Sequence, residues 1–131
     1  MGRGVRVLHL HLHGLFRSRD LELGRDADTG GQTLYVLDLV RSLAQRPEVD
    51  RVDVVTRLVQ DRRVAADYER PLEVIAPGAR ILRFPFGPKR SLRKEQLWPH
   101  LEDLADQLVH HLTQPGQEVD WIHAHYADAG F

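Results

Sequence analysis

At 131 residues, with 42% hydrophobic and 28% charged side chains, the chain can build a real core and makes one domain or part of a larger one. A formal net charge of −1 offers no electrostatic case for nucleic acid or an anionic membrane. With no cysteine, a disulfide framework and a thiolate metal site are both excluded.

Met1 to Val7 lead directly into a strand pattern, without the long apolar core and small-residue cleavage site of a signal peptide. No stretch is long enough to span a bilayer, so a cytoplasmic protein is the expectation. Val5 to Leu12 reads as a strand, rich in Val and Leu and too short for a helix. A long connection from His13 to Thr29 follows; strand-to-helix loops are usually short, and one of this size is more often functional than mere wiring. A helix is predicted from about Gly31 to Gln45, ended by Pro47. Its apolar residues cover most of its circumference, as expected of a helix packed on a sheet and against something else.

Arg51 to Thr56 is a second strand, and Leu72 to Ile75 a short edge strand. Ala79 to Phe84 is a further strand, stopped by Pro85 and the turn pair Gly87-Pro88. A second helix starts near Trp98, with Pro99 tolerated in its first turn. It places Leu97, Leu101, Leu104, Leu108 and Leu112 on one face and closes at Pro115-Gly116. Val119 to Ala124 is the last strand.

This order predicts an α/β fold, a Rossmann-like and mainly parallel sheet with helices on both faces. In the common 3-2-1-4 order the first and last strands are neighbours at the switch point, where such sheets bind ligands outside the carboxyl ends of the strands. Three features then converge: His13-Gly14 after the first strand, Gly30-Gly31 at the first helix, and His125-Tyr126 after the last strand. A parallel strand normally feeds a crossover helix, and none follows Ala124. Residues 1–131 therefore read as part of something longer.

The run Asp28-Thr29-Gly30-Gly31-Gln32 puts two glycines at a helix start, where unpaired N–H groups and the positive end of the helix dipole favour an anion. The same residues also make an ordinary turn with an N-cap. Lys89, Arg90, Arg93 and Lys94 precede the second helix. They read either as a solvated basic edge or as an anion site, since cations at a helix N-terminus are otherwise mildly unfavourable. His9, His11 and His13 fall on one strand face but diverge along it, so hydrogen-bonded sheet residues are expected rather than a metal site. His13 and His125, at strand ends, can hydrogen-bond a hydroxyl or a phosphate. No nucleophile elbow or Walker lysine is present, and His13-Gly14-Leu15-Phe16 replaces the dinucleotide fingerprint. No cofactor is expected.

With these residues in hand, the chain resembles the N-terminal end of the sucrose-phosphate synthases, retaining glycosyltransferases of the two-Rossmann-domain (GT-B) type. The stretches that match are His11 to Leu15, Leu21 to Asp26, Thr29 to Gln32, Val52 to Arg57, Phe84 to Pro88, Lys94 to Pro99 and His123 to Gly130, in family order. The resemblance implies transfer of glucose from UDP-glucose, or another nucleotide sugar, to fructose 6-phosphate. It implies that the backbone at Gly30 and Gly31 lies against the donor diphosphate and the acceptor, and that Gln32 touches the acceptor. Lys94 matches the family lysine that holds the acceptor phosphate. His13, Gly14, His125, Tyr126 and Asp128 would line the cleft.

The family's catalytic histidine and its nucleotide-sugar ligands fall beyond residue 131 or in a second Rossmann domain. The resemblance thus implies a partial N-terminal, acceptor-side domain over 1–131, inactive alone, with small-molecule substrates and a required second domain. Two alternatives stand beside this reading: a sucrose synthase-type enzyme using free fructose, and a non-catalytic module that binds sugar phosphate.

Overall fold

The computed structural model describes residues 4–12, 31–60, 68, 70–86 and 98–124, and side chains from residue 34 onward in the first helix. The elements are β1 (Val5–Leu10), α1 (Gly31–Ala44), β2 (Val49–Arg57), β3 (Leu72–Ala76), β4 (Ala79–Phe84), a 3-10 turn (Trp98–His100), α2 (Leu101–Leu112) and β5 (Trp121–Ala124). All predicted elements within these residues are found. β1 and β5 are each two residues shorter than expected, although His11 N–H still donates to the Val55 carbonyl at 3.0 Å. The second helix begins with a 3-10 turn, Trp98–His100, in which Pro99 costs no intrahelical bond because the first N–H groups have no partner.

The sheet has the order β3-β4-β2-β1-β5. β1 pairs in parallel with both β2 and β5, and β2 pairs in parallel with β4. The four parallel strands therefore follow the expected 3-2-1-4 order. β3 is the antiparallel edge, joined to β4 through Pro77 and Gly78. Gly78 has φ +82°, the left-handed position that the third residue of a type II turn requires.

Strand periodicity sorts the side chains between two cores. On one face Val36, Leu37 and Val40 of α1 pack against Val52 and Val54 of β2 and Ala79 and Ile81 of β4. On the other, Leu104 of α2 packs against Leu8, Leu10 and Leu12, with Val55, Leu82 and Phe86 completing the cluster. Leu101, Leu108 and Leu112 pack around this second core, as a one-faced helix should. Leu34 and Tyr35 of α1 are exposed, so the second surface expected over this helix is not made by the described residues.

A polar network ties the amino-terminal edge of the sheet to the end of α2. Asp53, only 1% exposed, takes a two-pronged bond from Arg80 at 2.8 and 2.9 Å, and Arg51 Nε lies 3.1 Å from the same carboxylate. Arg51 and Arg6 both donate to the Gly116 carbonyl, at 3.0 and 3.2 Å. Gly116 has φ +79°, which turns the chain after the helix. Arg6 also pairs with Asp50 at 2.9 Å, and its backbone N–H donates to Asp120 just before β5.

Removing one member of a buried pair strands the other charge. Asp53→Ala should therefore destabilise the chain by about 3 kcal/mol in urea unfolding. Glu48→Ala, at the exposed Arg46–Glu48 pair, should leave the urea midpoint unchanged.

Candidate functional site

Parallel pairing puts the carboxyl ends of β1 and β5 side by side, with Leu10 opposite Ala124. This is the topological switch point, because β1 leads back toward β2 on one side while β5 lies on the other. α1 links the end of β1 to the start of the parallel strand β2, so it runs against both and its first residue, Gly31, faces the carboxyl edge. The first turn of α1 holds no acidic residue, and Arg41 lies in its last turn. The positive end of the helix dipole is thus left uncompensated by its own side chains.

Behind this edge, β1 and β5 are joined by an imidazole contact. His9 and His123 are register partners, and their rings lie 5.1 Å apart at 40°. His9 and His11 are buried, in keeping with sheet residues rather than ligands at a surface. Thr56 and Arg57, at the carboxyl end of β2, are buried as well. Arg57 stands beside Phe84 in the ladder. This inward cation at the carboxyl edge was not singled out from sequence; the signal that could have found it is an arginine directly after the run Val54-Val55-Thr56 at a strand end.

Of the sequence-predicted site residues, Gly31 and Gln32 open α1. His13, Gly14, Gly30, Lys94, His125, Tyr126 and Asp128 lie outside the described residues, as does the basic run before the second helix. What the fold establishes is a common edge at the carboxyl ends of β1 and β5 and the start of α1.

The C-terminal half of α2 makes a separate polar surface. His111 meets Phe84 edge-on, with ring centroids 5.6 Å apart. Burial pushes its pKa below the ordinary histidine value; Asp53 opposes this, while Arg80, Arg51 and His110 add to it. Arg80 is shifted up by its hydrogen bond to Asp53. Among the described residues no three acidic or histidine side chains cluster closely enough to hold a metal ion, and no helix is long and apolar enough to cross a membrane.

A Rossmann-like sheet with a β1/β5 switch point is shared by many α/β proteins, and the comparisons specify which. The family described as the sucrose synthase first GT-B domain matches residues 3–131. A probable sucrose-phosphate synthase 2 of Arabidopsis thaliana is 42% identical over 95% of this chain. Sucrose-phosphate synthase 1 of the same plant is 40% identical over 98%. The chain spans only 14% and 15% of the length of these two relatives. The solved sucrose-phosphate synthase of Thermosynechococcus elongatus superposes with a TM-score of 0.76 at 23% identity, over 96% of this chain and 28% of that one, which establishes the shared fold. The chain belongs to the sucrose synthase and sucrose-phosphate synthase family of GT-B glycosyltransferases.

The lowered pKa of His111 has a direct consequence. As pH falls through the ordinary histidine range, about 6.5, the unfolded chain takes up a proton before the folded one. Stability should therefore decline below about pH 6.5 and level off once the folded state is also protonated. Urea midpoints measured from pH 7.5 down to about 5 should show a shallower decline in His111→Asn than in the parent chain.

Proposed function

We propose that this chain forms the acceptor-side part of a sucrose-phosphate synthase, in which glucose passes from UDP-glucose, or another nucleoside diphosphate glucose, to fructose 6-phosphate with retention at the sugar. The observation that carries this reading is the 38–42% identity to sucrose-phosphate synthases over nearly the whole chain. The fold supports it, because β1, α1 and β5 share one edge at the switch point, and α1 opens on Gly31 with no acidic residue in its first turn.

In this reading the backbone N–H groups at Gly30 and Gly31 face the donor diphosphate and the acceptor. They stabilise charge that gathers on the departing phosphate as the glycosidic bond breaks. Gln32 reaches the acceptor hydroxyls. Lys94 holds the acceptor phosphate, a dianion that needs a cation where free fructose does not. His13, Gly14, His125, Tyr126 and Asp128 line the cleft, and their small or polar character suits a sugar. The second Rossmann domain supplies the nucleotide site and residues beyond 131 supply the catalytic histidine, so the 131-residue chain by itself transfers no glucose. The reaction takes place in the cytoplasm and uses no cofactor or metal from this chain.

A second reading uses free fructose as the acceptor, and the family's description as a sucrose synthase domain favours it. The two differ in their need for a cation at Lys94.

Titration of the chain with fructose 6-phosphate, fructose and UDP-glucose, followed by amide NMR, separates them. Saturable shifts at the first turn of α1 with fructose 6-phosphate, lost in Lys94→Ala, are the expected result. Equal responses to fructose and fructose 6-phosphate would favour the second reading. Formation of sucrose 6-phosphate by the purified chain would overturn the assignment of catalysis to residues outside it.

A further inference from the structure

On the α1 side of the sheet the core changes character toward the carboxyl edge. Val52 and Val54 of β2 and Ala79 and Ile81 of β4 are apolar and fully buried. The next inward positions on the same face are Thr56, 3% exposed, and Arg83, 2% exposed. These two are register partners in the parallel β2–β4 ladder. His11, also buried, continues the row onto β1, where its N–H donates to the Val55 carbonyl. A polar row thus crosses three adjacent strands at the edge where α1 begins.

Arg83 is held firmly from the side of β3. Its Nη2 lies 2.7 Å from Glu73, its Nη1 donates to the Arg70 carbonyl at 3.2 Å, and its guanidinium stands 5.8 Å from the centre of the Tyr68 ring. A buried ion pair adds little stability over well-packed apolar residues of similar volume. Leucines here would simply extend the core of Val54 and Ile81, so stability is a poor reason for the row. Its place gives a better one. α1 runs antiparallel to the strands, with Leu43 and Ala44 packed in the same cluster as Val49, the first residue of β2. Val36, Leu37 and Val40 cover the middle of the sheet. One helical turn and two strand residues advance by similar distances, about 5.4 and 6.6 Å. The turn before Val36 therefore reaches the level of Thr56 and Arg83, and that turn is residues 31–33, the start of α1.

We propose that Thr56 and Arg83 are positioning residues for the acceptor site: they form the polar row on which the first turn of α1 rests, and they fix the helix start relative to the strand ends. In this role they touch no ligand and act through the backbone at Gly31 and Gln32. The ligand rests on the acceptor-site reading above, whereas the hold on the helix start can be tested without ligand.

The 131-residue chain is compared with Arg83→Met/Glu73→Leu, in which both charges are removed together so that neither is stranded. Thr56→Val exchanges one hydroxyl for a methyl group, and Thr56→Ser, which keeps the hydroxyl, is the conservative control. Without ligand, the amide resonances of Gly31 and Gln32 should move in the double variant and in Thr56→Val, with the urea midpoint near that of the parent chain. The dissociation constant for fructose 6-phosphate should rise roughly tenfold in both and stay near the parental value in Thr56→Ser, as for residues that modulate binding without touching the ligand. A merely structural role would lower the urea midpoint and leave the affinity of the folded chain unchanged. Unmoved Gly31 and Gln32 amides, parental affinity in both variants, or loss of folding in both would each overturn the proposal. Moved amides in a chain whose parent binds neither fructose 6-phosphate nor fructose would overturn the acceptor-site reading instead, and would support the hold of the row on the helix start.

Discussion

The parallel pairing of β1 with β2 on one side and β5 on the other is the constraint on which the rest depends. Parallel neighbours need crossover connections, and these lay helices over both faces of the sheet, so the side chains of a central strand are covered on both faces. That requirement explains Leu8, Leu10 and Leu12 beneath α2 and buried His9 and His11 on the opposite face. It also creates the switch point. Where the connections on either side of a central strand run in opposite directions, a crevice opens at the carboxyl ends of the strands.

The two ends of the sheet differ in their chemistry. At the amino edge, Asp53 gathers Arg80 and Arg51, and Gly116 receives two arginines from strands that are distant in sequence. These bonds lock β1, β2 and β4 to the end of α2 without apolar area. A buried pair of this kind adds little net stability over a well-packed apolar alternative, but it is costly to break, so it specifies one register. The carboxyl edge carries the helix start at Gly31 and the neighbouring strand ends, and a rigid scaffold with loops at one edge is how binding residues are commonly positioned.

Much of this architecture was legible in the residues themselves. Val5 to Leu12, Arg51 to Thr56 and Ala79 to Phe84 read as strands because β-branched and leucine runs too short for a helix leave few alternatives. The leucines of α2 recur at three and four residues, and that helix is one-faced as expected. The candidate site was proposed from motifs, namely Gly30-Gly31-Gln32, Lys94 and His125 to Asp128, and of these only Gly31 and Gln32 fall among the described residues, at the start of α1. The amino-edge network was not legible. Asp53 and Arg80 are 27 residues apart and look like polar interruptions in two apolar strands until β2 and β4 are paired. The contact of His9 with His123 likewise depends on the register of β1 with β5.

The sequence by itself determined the identity and order of the elements, the family to which the motifs belong and the residue types available at the carboxyl edge. These follow from side-chain periodicity, backbone preference and short-range spacing, all of which act over a few residues. Only the tertiary structure decided the register of β1 against its neighbours, the burial of Asp53 between two arginines, and the exposure of Leu34 and Tyr35. Each of these depends on residues brought together from far along the chain. Which partner a strand or a charge finds is settled by the simultaneous burial of both faces of the sheet, and no local window of sequence contains that condition.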